Sequence, residues 1–414
     1  MTKSAKGFSA LKDAMFRRYF FGAVFATNAT WIFRVLLLWT AWDLIHSTSF
    51  TGIVTTMMLL PVALTSPIFG TWVDRTDPVR LYALVSVGYL LCPATLLVLS
   101  NAGALNKVAV LGIAIFYSLV VAVFQPLRQS LGPRLTSPDH IGSVMVLASL
   151  NHNAGRLIAP AIAGVVIAKF GINTASAMSI ALYVPSILIA PTLILRASEN
   201  RPEKKNFLRD FSDGFVAAWT HRPIRKALLL GVFTFGPISS LSEMITLVAD
   251  GIFEKGAQGL GMMTSAFGIG ALAASATQVM LGTAHLHNNL LRLAVIIVGL
   301  LSGGVMVTAA SFEAALIAAV LFGFGAIKAA VSLQVSIQAN VADHMRGRVM
   351  SLWMMSATPA TSITAVGITW AAEYFGFKPA ARLVFITALV IVTALALYAR
   401  DSNQPACDTT SKNA

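Results

Sequence analysis

Residues 19–42 read YFFGAVFATNATWIFRVLLLWTAW, a run of 24 residues whose only charged side chain is Arg34. About 20 apolar residues in a helix cross the hydrocarbon core of a bilayer, so this run predicts a transmembrane helix. A basic N-terminus precedes it, as in a signal peptide, but the run is too long for the apolar region of one and contains an arginine. We therefore expect it to be kept as the first membrane helix.

Eleven further apolar runs follow it along the chain. Their approximate limits are 51–73, 80–100, 108–127, 143–168, 174–195, 226–249, 259–281, 290–310, 314–337, 349–372 and 380–399. The composition agrees, because only 11% of the 414 residues are charged, against about 25% in soluble domains. A membrane β-barrel would show short alternating segments instead of solid runs. The sequence predicts an all-α polytopic membrane protein with twelve transmembrane helices.

The net charge of +13 has a distribution that indicates topology. With the N-terminus placed in the cytoplasm, twenty-two of the thirty Lys and Arg residues fall on the cytoplasmic side, five on the other side and three inside the membrane. Cytoplasmic loops of membrane proteins carry such an excess. We therefore expect both termini in the cytoplasm and no nucleic-acid partner.

One long polar break divides the chain into two sets of six runs. The predicted units are an N-terminal six-helix bundle over 1–195, a cytoplasmic linker over 196–225, a C-terminal six-helix bundle over 226–400 and a cytoplasmic tail over 401–414. Within the linker, the four-residue spacing of Phe207, Phe211, Phe215 and Trp219 predicts a short amphipathic helix. It would lie either on the inner membrane surface or against the bundle.

Similar segments recur about 200 residues apart. Residues 139–145 (DHIGSVM) resemble residues 343–350 (DHMRGRVM), and Pro160 has a counterpart in Pro359. A shared offset near half the chain length is what a parallel repeat of two six-helix bundles predicts. We expect the two bundles to be pseudo-symmetric.

Two motifs resemble the major facilitator superfamily of transporters. Residues 69–75 (FGTWVDR) are similar to its 2–3 loop signature, and residues 155–164 (GRLIAPAIAG) to the helix 5 signature of its antiporters. A small-residue helix kinked by Pro160 is the plain alternative for the second motif. The first motif departs from the family after Arg75, where 77–80 (DPVR) replaces the usual basic cluster. The resemblance implies a latch between Asp74 and helix 11, and gating residues at Gly70, Asp74, Arg75, Pro160, Arg346 and Arg348.

Four stretches are similar to one subgroup, which contains enterobactin-type siderophore exporters and macrolide efflux proteins of bacteria. They are residues 124–129, 153–164, 207–223 and 346–351. The resemblance implies a multi-pass protein of the bacterial inner (cytoplasmic) membrane. It covers nearly the whole chain.

Ionisable residues inside a membrane are costly, so each is a candidate site residue. Arg34, Arg156 and Lys328 give the predicted cavity a positive surplus, and arginine suits carboxylate and other oxyanion groups. The alternatives are helix-holding ion pairs for the arginines and snorkelling for Lys328. The predicted substrate-binding residues are Asn28, Trp31, Arg34, Tyr117, His152, Asn153, Arg156 and Lys328.

Proton coupling requires a group that titrates inside the membrane. Glu243 and His152 are the candidates, and the unperturbed pKa of histidine lies in the physiological range. Either residue could instead have a purely structural role. We favour Glu243.

The expected function is export of a small polar or anionic metabolite, a siderophore first, by alternating access with proton antiport. Multidrug or macrolide efflux is the second possibility, and import of a similar molecule the third. A membrane sensor without transport is a different class, which the intramembrane charges disfavour. We expect no enzymatic activity, no cofactor, no metal and a monomer, with the substrate, protons and the lipid bilayer as partners.

Overall fold

The computed structural model describes residues 8–73, 76–196, 222–281, 289–339 and 346–401, and these residues are almost entirely α-helical. The helices are α1 (Ala14–Ile45), α2 (Thr48–Val73), α3 (Pro78–Asn101), α4 (Lys107–Arg134), the segment Ile141–Ile189, α7 (Arg222–Glu243), α8 (Gly256–Leu281), α9 (Asn289–Thr308), α10 (Phe312–Ala339), α11 (Arg346–Phe375) and α12 (Phe377–Asp401). A short helix, Ile245–Ala249, continues α7 after Glu243.

The segment Ile141–Ile189 contains two helices. Gly171 interrupts it with φ 80° and ψ 175°, a conformation that favours glycine. We name the two parts α5 (141–170) and α6 (172–189). The described residues thus hold twelve long helices at the positions of the twelve apolar runs, which confirms the predicted fold class. Eight described helical segments, one of which contains both α5 and α6, are long and apolar enough to cross a membrane.

Short connections join the helices on the side where α1 ends. We call this side distal and the side of the chain's N-terminus proximal. The distal connections are residues 46–47, 102–106, 171, 250–255, 309–311 and 376. His46 and Gly376 adopt left-handed backbone at φ 48° and 82°, which turns the chain within one or two residues. Each distal connection therefore holds two helix ends close together.

Polar caps determine where several helices begin. The side chain of Asp77 accepts a hydrogen bond from the Val79 amide at 3.0 Å at the start of α3. Asn106 accepts one from the Ala109 amide at 3.0 Å at the start of α4. Such caps satisfy amides that have no partner inside the helix.

Small residues allow close helix packing within and between the bundles. Gly155 of α5 lies against Thr27 and Trp31 of α1 in the N-terminal bundle. In the C-terminal bundle, Gly299 of α9 faces Gly325 of α10. Such contacts are typical of membrane helices, where close backbone approach replaces the hydrophobic drive of water-soluble cores.

The two bundles meet at two glycine contacts on the distal side. Gly164 of α5 lies against Gly261 of α8, and Gly52 of α2 lies against Thr369 of α11. We call these two contacts the distal seam. A side chain at either glycine would overlap the opposite helix, so the bundles are closed against each other here.

A carboxylate fixes the proximal start of α1 to the connection between α4 and α5. Asp13 accepts hydrogen bonds from the Thr136 hydroxyl and, at 3.1 Å, from the Ser137 amide. His140 Nδ1 lies 3.0 Å from the same carboxylate oxygen. The bond from Thr136, followed by the proximity of His140, lowers the pKa of Asp13 to about 2.

Several sequence predictions fall outside the described residues. These are the linker with its aromatic face at Phe207, Phe211, Phe215 and Trp219, the latch residues Asp74 and Arg75, the repeat at 343–345, and the tail beyond 401. The predicted domain boundaries, which depend on the linker, stay predictions.

Candidate functional site

A polar pocket lies between the two bundles, on the proximal side of the distal seam. Its walls come from α1, α5, α7, the short helix after α7, and α8. The lining residues are Trp31, Arg34, Val35, Leu38, Arg156, Pro160, Ser242, Glu243, Ile245, Thr246, Leu260, Thr264 and Phe267. The α1 residues recur at helical spacing, so one face of α1 forms one wall.

An ion pair crosses this pocket from one bundle to the other. Arg34 Nη2 of α1 donates to Glu243 Oε1 of α7. The two side chains are only 19% and 20% exposed. Glu243 is the last residue of α7, and the short helix Ile245–Ala249 follows it almost directly. Arg34 therefore compensates the charge of a carboxylate that lies inside the membrane span.

A second arginine lies close to the ion pair and faces aromatic rings. The Arg156 guanidinium is 5.4 Å from the ring centroid of Phe267 and 6.0 Å from that of Trp31. The Arg34 guanidinium is 4.9 Å from the same Trp31 ring. These are cation–π distances. Among the residues that the structure describes, no carboxylate lies within 4.0 Å of Arg156.

The pocket therefore has two guanidinium groups and one carboxylate. With all three ionised, one positive charge is left over in a site largely shielded from water. Such a surplus attracts an anion strongly, because a low dielectric constant screens the attraction between opposite charges only weakly. Arg34 Nε also lacks a hydrogen-bond partner within the described ranges, so this guanidinium has a donor to spare.

Two predicted residues line a different cavity, inside the N-terminal bundle. Tyr117 and His152 lie there together with Trp31 and Arg34, which border both cavities. The His152 ring is 5.5 Å from the Trp31 ring. His152 therefore contacts Trp31 but lines the cavity of the N-terminal bundle and not the central pocket.

The structure does not bring every predicted residue to these cavities. Asn28 donates to the Val24 carbonyl oxygen at 2.8 Å within α1 and lines neither. Lys328 of α10 is 4% exposed, with its Nζ 6.0 Å from the Phe324 ring, and also lines neither. Their membership of a binding site stays a prediction.

The gating residues are described only in part. Pro160 is buried and lines the central pocket. Gly70 lies near the end of α2, where no described atom comes within 4 Å of an added Cβ. Arg346 and Arg348 lie in the first turn of α11, and the predicted substrate-binding residue Asn153 lies on α5, but the side chains of all three are outside the described residues.

One distal contact was not anticipated from the sequence. Trp42 Nε1 of α1 donates to Asp250 Oδ2 at 2.7 Å, and the Gly256 amide at the start of α8 donates to Asp250 Oδ1 at 2.7 Å. One carboxylate therefore binds both bundles next to the distal seam. We call this arrangement the Asp250 clasp. The sequence shows an acidic residue, Asp250, directly after the apolar run 226–249, but its partner Trp42 lies 208 residues away in the chain and could not be inferred.

Twelve long helices in two bundles around a central pocket give the fold of the major facilitator superfamily, as the sequence motifs suggested. Solved transporters share the fold over nearly the whole chain. The nucleoside transporter NupG matches with a TM-score of 0.71 and 11% identity, over 92% of this chain and 98% of that one. A POT family transporter in complex with 5-aminolevulinic acid matches with 0.69 and 12%, over 94% and 96%.

The family follows from the sequence comparison. Residues 5–413 match the family described as transmembrane secretion effector, and the chain belongs to this family of multi-pass membrane transporters. A curated relative, the staphyloferrin A transporter of Staphylococcus aureus (strain NCTC 8325 / PS 47), is 24% identical over 342 residues. The match covers 82% of this chain and 85% of that protein.

Proposed function

We propose that this transporter exports a small anionic metabolite of the siderophore class across the bacterial inner membrane. The observation that carries the proposal is the central pocket, where Arg34 and Arg156 outnumber Glu243. The description of the family as secretion effectors supports the export direction. The name of the staphyloferrin A transporter supports the substrate class.

The bundles would expose the pocket to the two sides of the membrane in turn. The positive-inside distribution supports cytoplasmic termini, which makes the distal side external. The conformation described here, with its distal seam closed, is then one that excludes the outside. Substrate would enter from the cytoplasm and leave after the seam and the Asp250 clasp open.

Proton antiport requires the proton and the substrate to compete for one group. Glu243 meets this requirement if the substrate binds Arg156 and Arg34 through oxyanion groups and donates an ammonium or hydroxyl hydrogen bond to Glu243. Protonation of Glu243 would replace a charged acceptor by a weaker neutral one and so weaken substrate binding. The inward flow of protons would then drive export.

Import is the second candidate, and the Arg34–Glu243 pair is the observation that favours it. A purely anionic substrate that displaced Glu243 from Arg34 would leave a carboxylate without a partner in a shielded pocket. Burial disfavours the charged form of such a group, so substrate and proton would bind together. Such co-binding leads to symport, and a proton gradient would then drive uptake.

Lipophilic-cation efflux fits the pocket less well. A cation would need a free carboxylate, and Glu243 is already paired with Arg34. The remaining charged side chain of the pocket, Arg156, is positive. Multidrug efflux of this kind therefore requires the ion pair to break without a replacement anion.

The first experiment identifies the substrate. Culture media of deletion and wild-type cells grown under iron limitation are compared by mass spectrometry, and the anion missing from the deletion medium is the expected cargo. Complementation with Arg34→Ala or Arg156→Ala should not restore it, although both proteins reach the membrane, whereas the exposed-arginine control Arg18→Ala should restore it. Unchanged export by both pocket variants would refute the site.

A second experiment determines the sign of the coupling. The identified substrate is added to purified protein in weak buffer. The protein should release protons if substrate and proton compete for Glu243, and take up protons if substrate and proton bind together. Glu243→Gln should abolish either signal. Full proton-driven transport by Glu243→Gln would exclude this residue from coupling.

A further inference from the structure

A second cavity lies inside the N-terminal bundle, bounded by α1, α3, α4, α5 and α6. The cavity is narrow, with a volume of about 80 Å³. Trp31 and Arg34 border it at the end that adjoins the central pocket, and Ala23, Gln125 and Arg128 lie at the other end. The cavity therefore extends from the central ion pair toward the proximal side.

The cavity is long. Ala23 and Arg34 are eleven residues apart on α1, which corresponds to about 16 Å of helix rise. On α4 the same distance separates Tyr117, whose neighbour is the Phe33 ring at 5.4 Å, from Arg128. The two arginines thus belong to opposite ends of one elongated space.

Arg128 has a charge that its surroundings do not neutralise. Its Nη2 donates to Gln125 Oε1 at 3.4 Å. No carboxylate in the described part of the chain lies within 4.0 Å of it, and the residues that line the cavity include no Asp or Glu. The proximal end of the cavity therefore has a positive charge and no acidic residue in its lining.

Hydroxyl groups line the length between the two arginines. Most of them bind one another: Tyr82 Oη lies 2.7 Å from Ser186 Oγ, and Thr30 Oγ1 lies 3.0 Å from Tyr183 Oη. Two do not. Tyr89 and Tyr117 are 5% and 2% exposed, and their hydroxyls have no hydrogen-bond partner as far as the described residues extend. A hydroxyl that borders the cavity can form a hydrogen bond with a ligand or with water inside it.

We propose that this cavity binds the far end of an elongated substrate that has oxyanion groups at both ends. One end binds Arg34 and Arg156 in the central pocket, and the other binds Arg128. The hydroxyls of Tyr89 and Tyr117 donate hydrogen bonds to oxygen atoms along the ligand. The inference rests on the proposed function, since it presumes an anionic solute, and it adds the spacing of the anionic groups.

Dicarboxylates of graded length test this spacing. Purified full-length protein is titrated, at constant ionic strength, with the α,ω-dicarboxylates from succinate to sebacate and with monocarboxylates of matching length, and Kd is obtained from the shift in melting temperature. We expect dicarboxylate affinity to rise with length toward an optimum, and monocarboxylate affinity to show no such optimum.

Three variants locate the second anion site. Arg128→Gln should weaken the optimal dicarboxylate by about tenfold or more, the effect of losing a hydrogen bond to a charged group, and leave succinate and the monocarboxylates unchanged. Tyr89→Phe should also weaken binding of the optimal dicarboxylate, but less than Arg128→Gln does. Because it keeps the packing of the ring, it still tests the site if Arg128→Gln fails to fold. The exposed control Arg18→Gln should behave as the wild type.

Two results would overturn the inference. One is the same length dependence in Arg128→Gln and the wild type. The other is no length preference, including no binding by the whole series, which would make the cavity a water-filled space only. If the length preference and the effect of Arg128→Gln both hold while the deletion medium lacks no anion, the cavity site stands and the export function fails.

Discussion

Gly164→Ala tests whether the distal seam sets the conformation of the transporter. An added Cβ at Gly164 would lie 2.6 Å from the Gly261 amide nitrogen and 3.1 Å from the Ala257 carbonyl oxygen. Both are backbone atoms, so no side-chain rotation relieves the overlap. Non-bonded heavy atoms settle at about 3.5 Å or more, so α5 and α8 must separate by roughly 1 Å.

The magnitude follows from this overlap. Overpacking of a tight interface costs about 1–3 kcal/mol, and that cost applies only while the seam is closed. The population should therefore shift toward the distally open state by roughly 5- to 150-fold. Transport should slow, because the protein must close the seam once in each cycle.

Pulsed electron paramagnetic resonance measures the shift. Spin labels at Lys107→Cys and Lys378→Cys, both exposed on the distal side, report the distance between bundles after Cys92→Ala and Cys407→Ser remove the native thiols. Gly164→Ala should add a longer distance to the distribution.

The matched control is Gly367→Ala in the distal half of α11, where an added Cβ meets no described atom within 4 Å. It should keep the distances of the parent protein. If Gly164→Ala also keeps them, the glycine contact does not hold the bundles closed and the reasoning fails.

Two further perturbations act at opposite ends of the molecule. Trp42→Phe keeps an aromatic ring but removes the hydrogen bond to Asp250, so it should raise the population with the longer spin-label distance about tenfold or more. An unchanged distance distribution would show that the Asp250 clasp has no part in closure. Asp13→Asn should lower the melting temperature at neutral pH, because the pKa of Asp13 is lowered to about 2 from an ordinary 3.8. A carboxylate whose pKa is lower in the folded than in the unfolded state stabilises the fold above the unfolded-state pKa, and this stability is lost as the pH falls through the folded-state pKa. The melting temperatures of wild type and Asp13→Asn should therefore converge between about pH 4 and about pH 2. A difference in melting temperature that stays the same at every pH would contradict this.

The helices could be predicted from the sequence because length and apolarity alone determine a membrane span. The break between α5 and α6 at Gly171 lies between the two apolar runs 143–168 and 174–195. Trp31 and Arg34 were both predicted to bind substrate, and their three-residue spacing places them on the face of α1 that lines the central pocket. Both inferences depend only on neighbours within one helix.

Partners between helices could not be predicted in the same way. The spacing of residues within α1 and α7 gives no information on which faces meet, so Glu243 was expected to titrate but its pairing with Arg34 was not foreseen. Arg128 was counted among the loop charges because the apolar run ends at 127. The helix instead continues to Arg134, which brings Arg128 into a cavity.

The short distal turns have a practical consequence for reagents raised against this protein. No distal connection is longer than the six residues 250–255, and two consist of a single glycine. An antibody fragment that binds this face would find no long flexible loop, and its epitope would have to include the ends of several helices at once. Because those ends belong to both bundles, such a fragment would recognise one arrangement of them and trap the transporter in it.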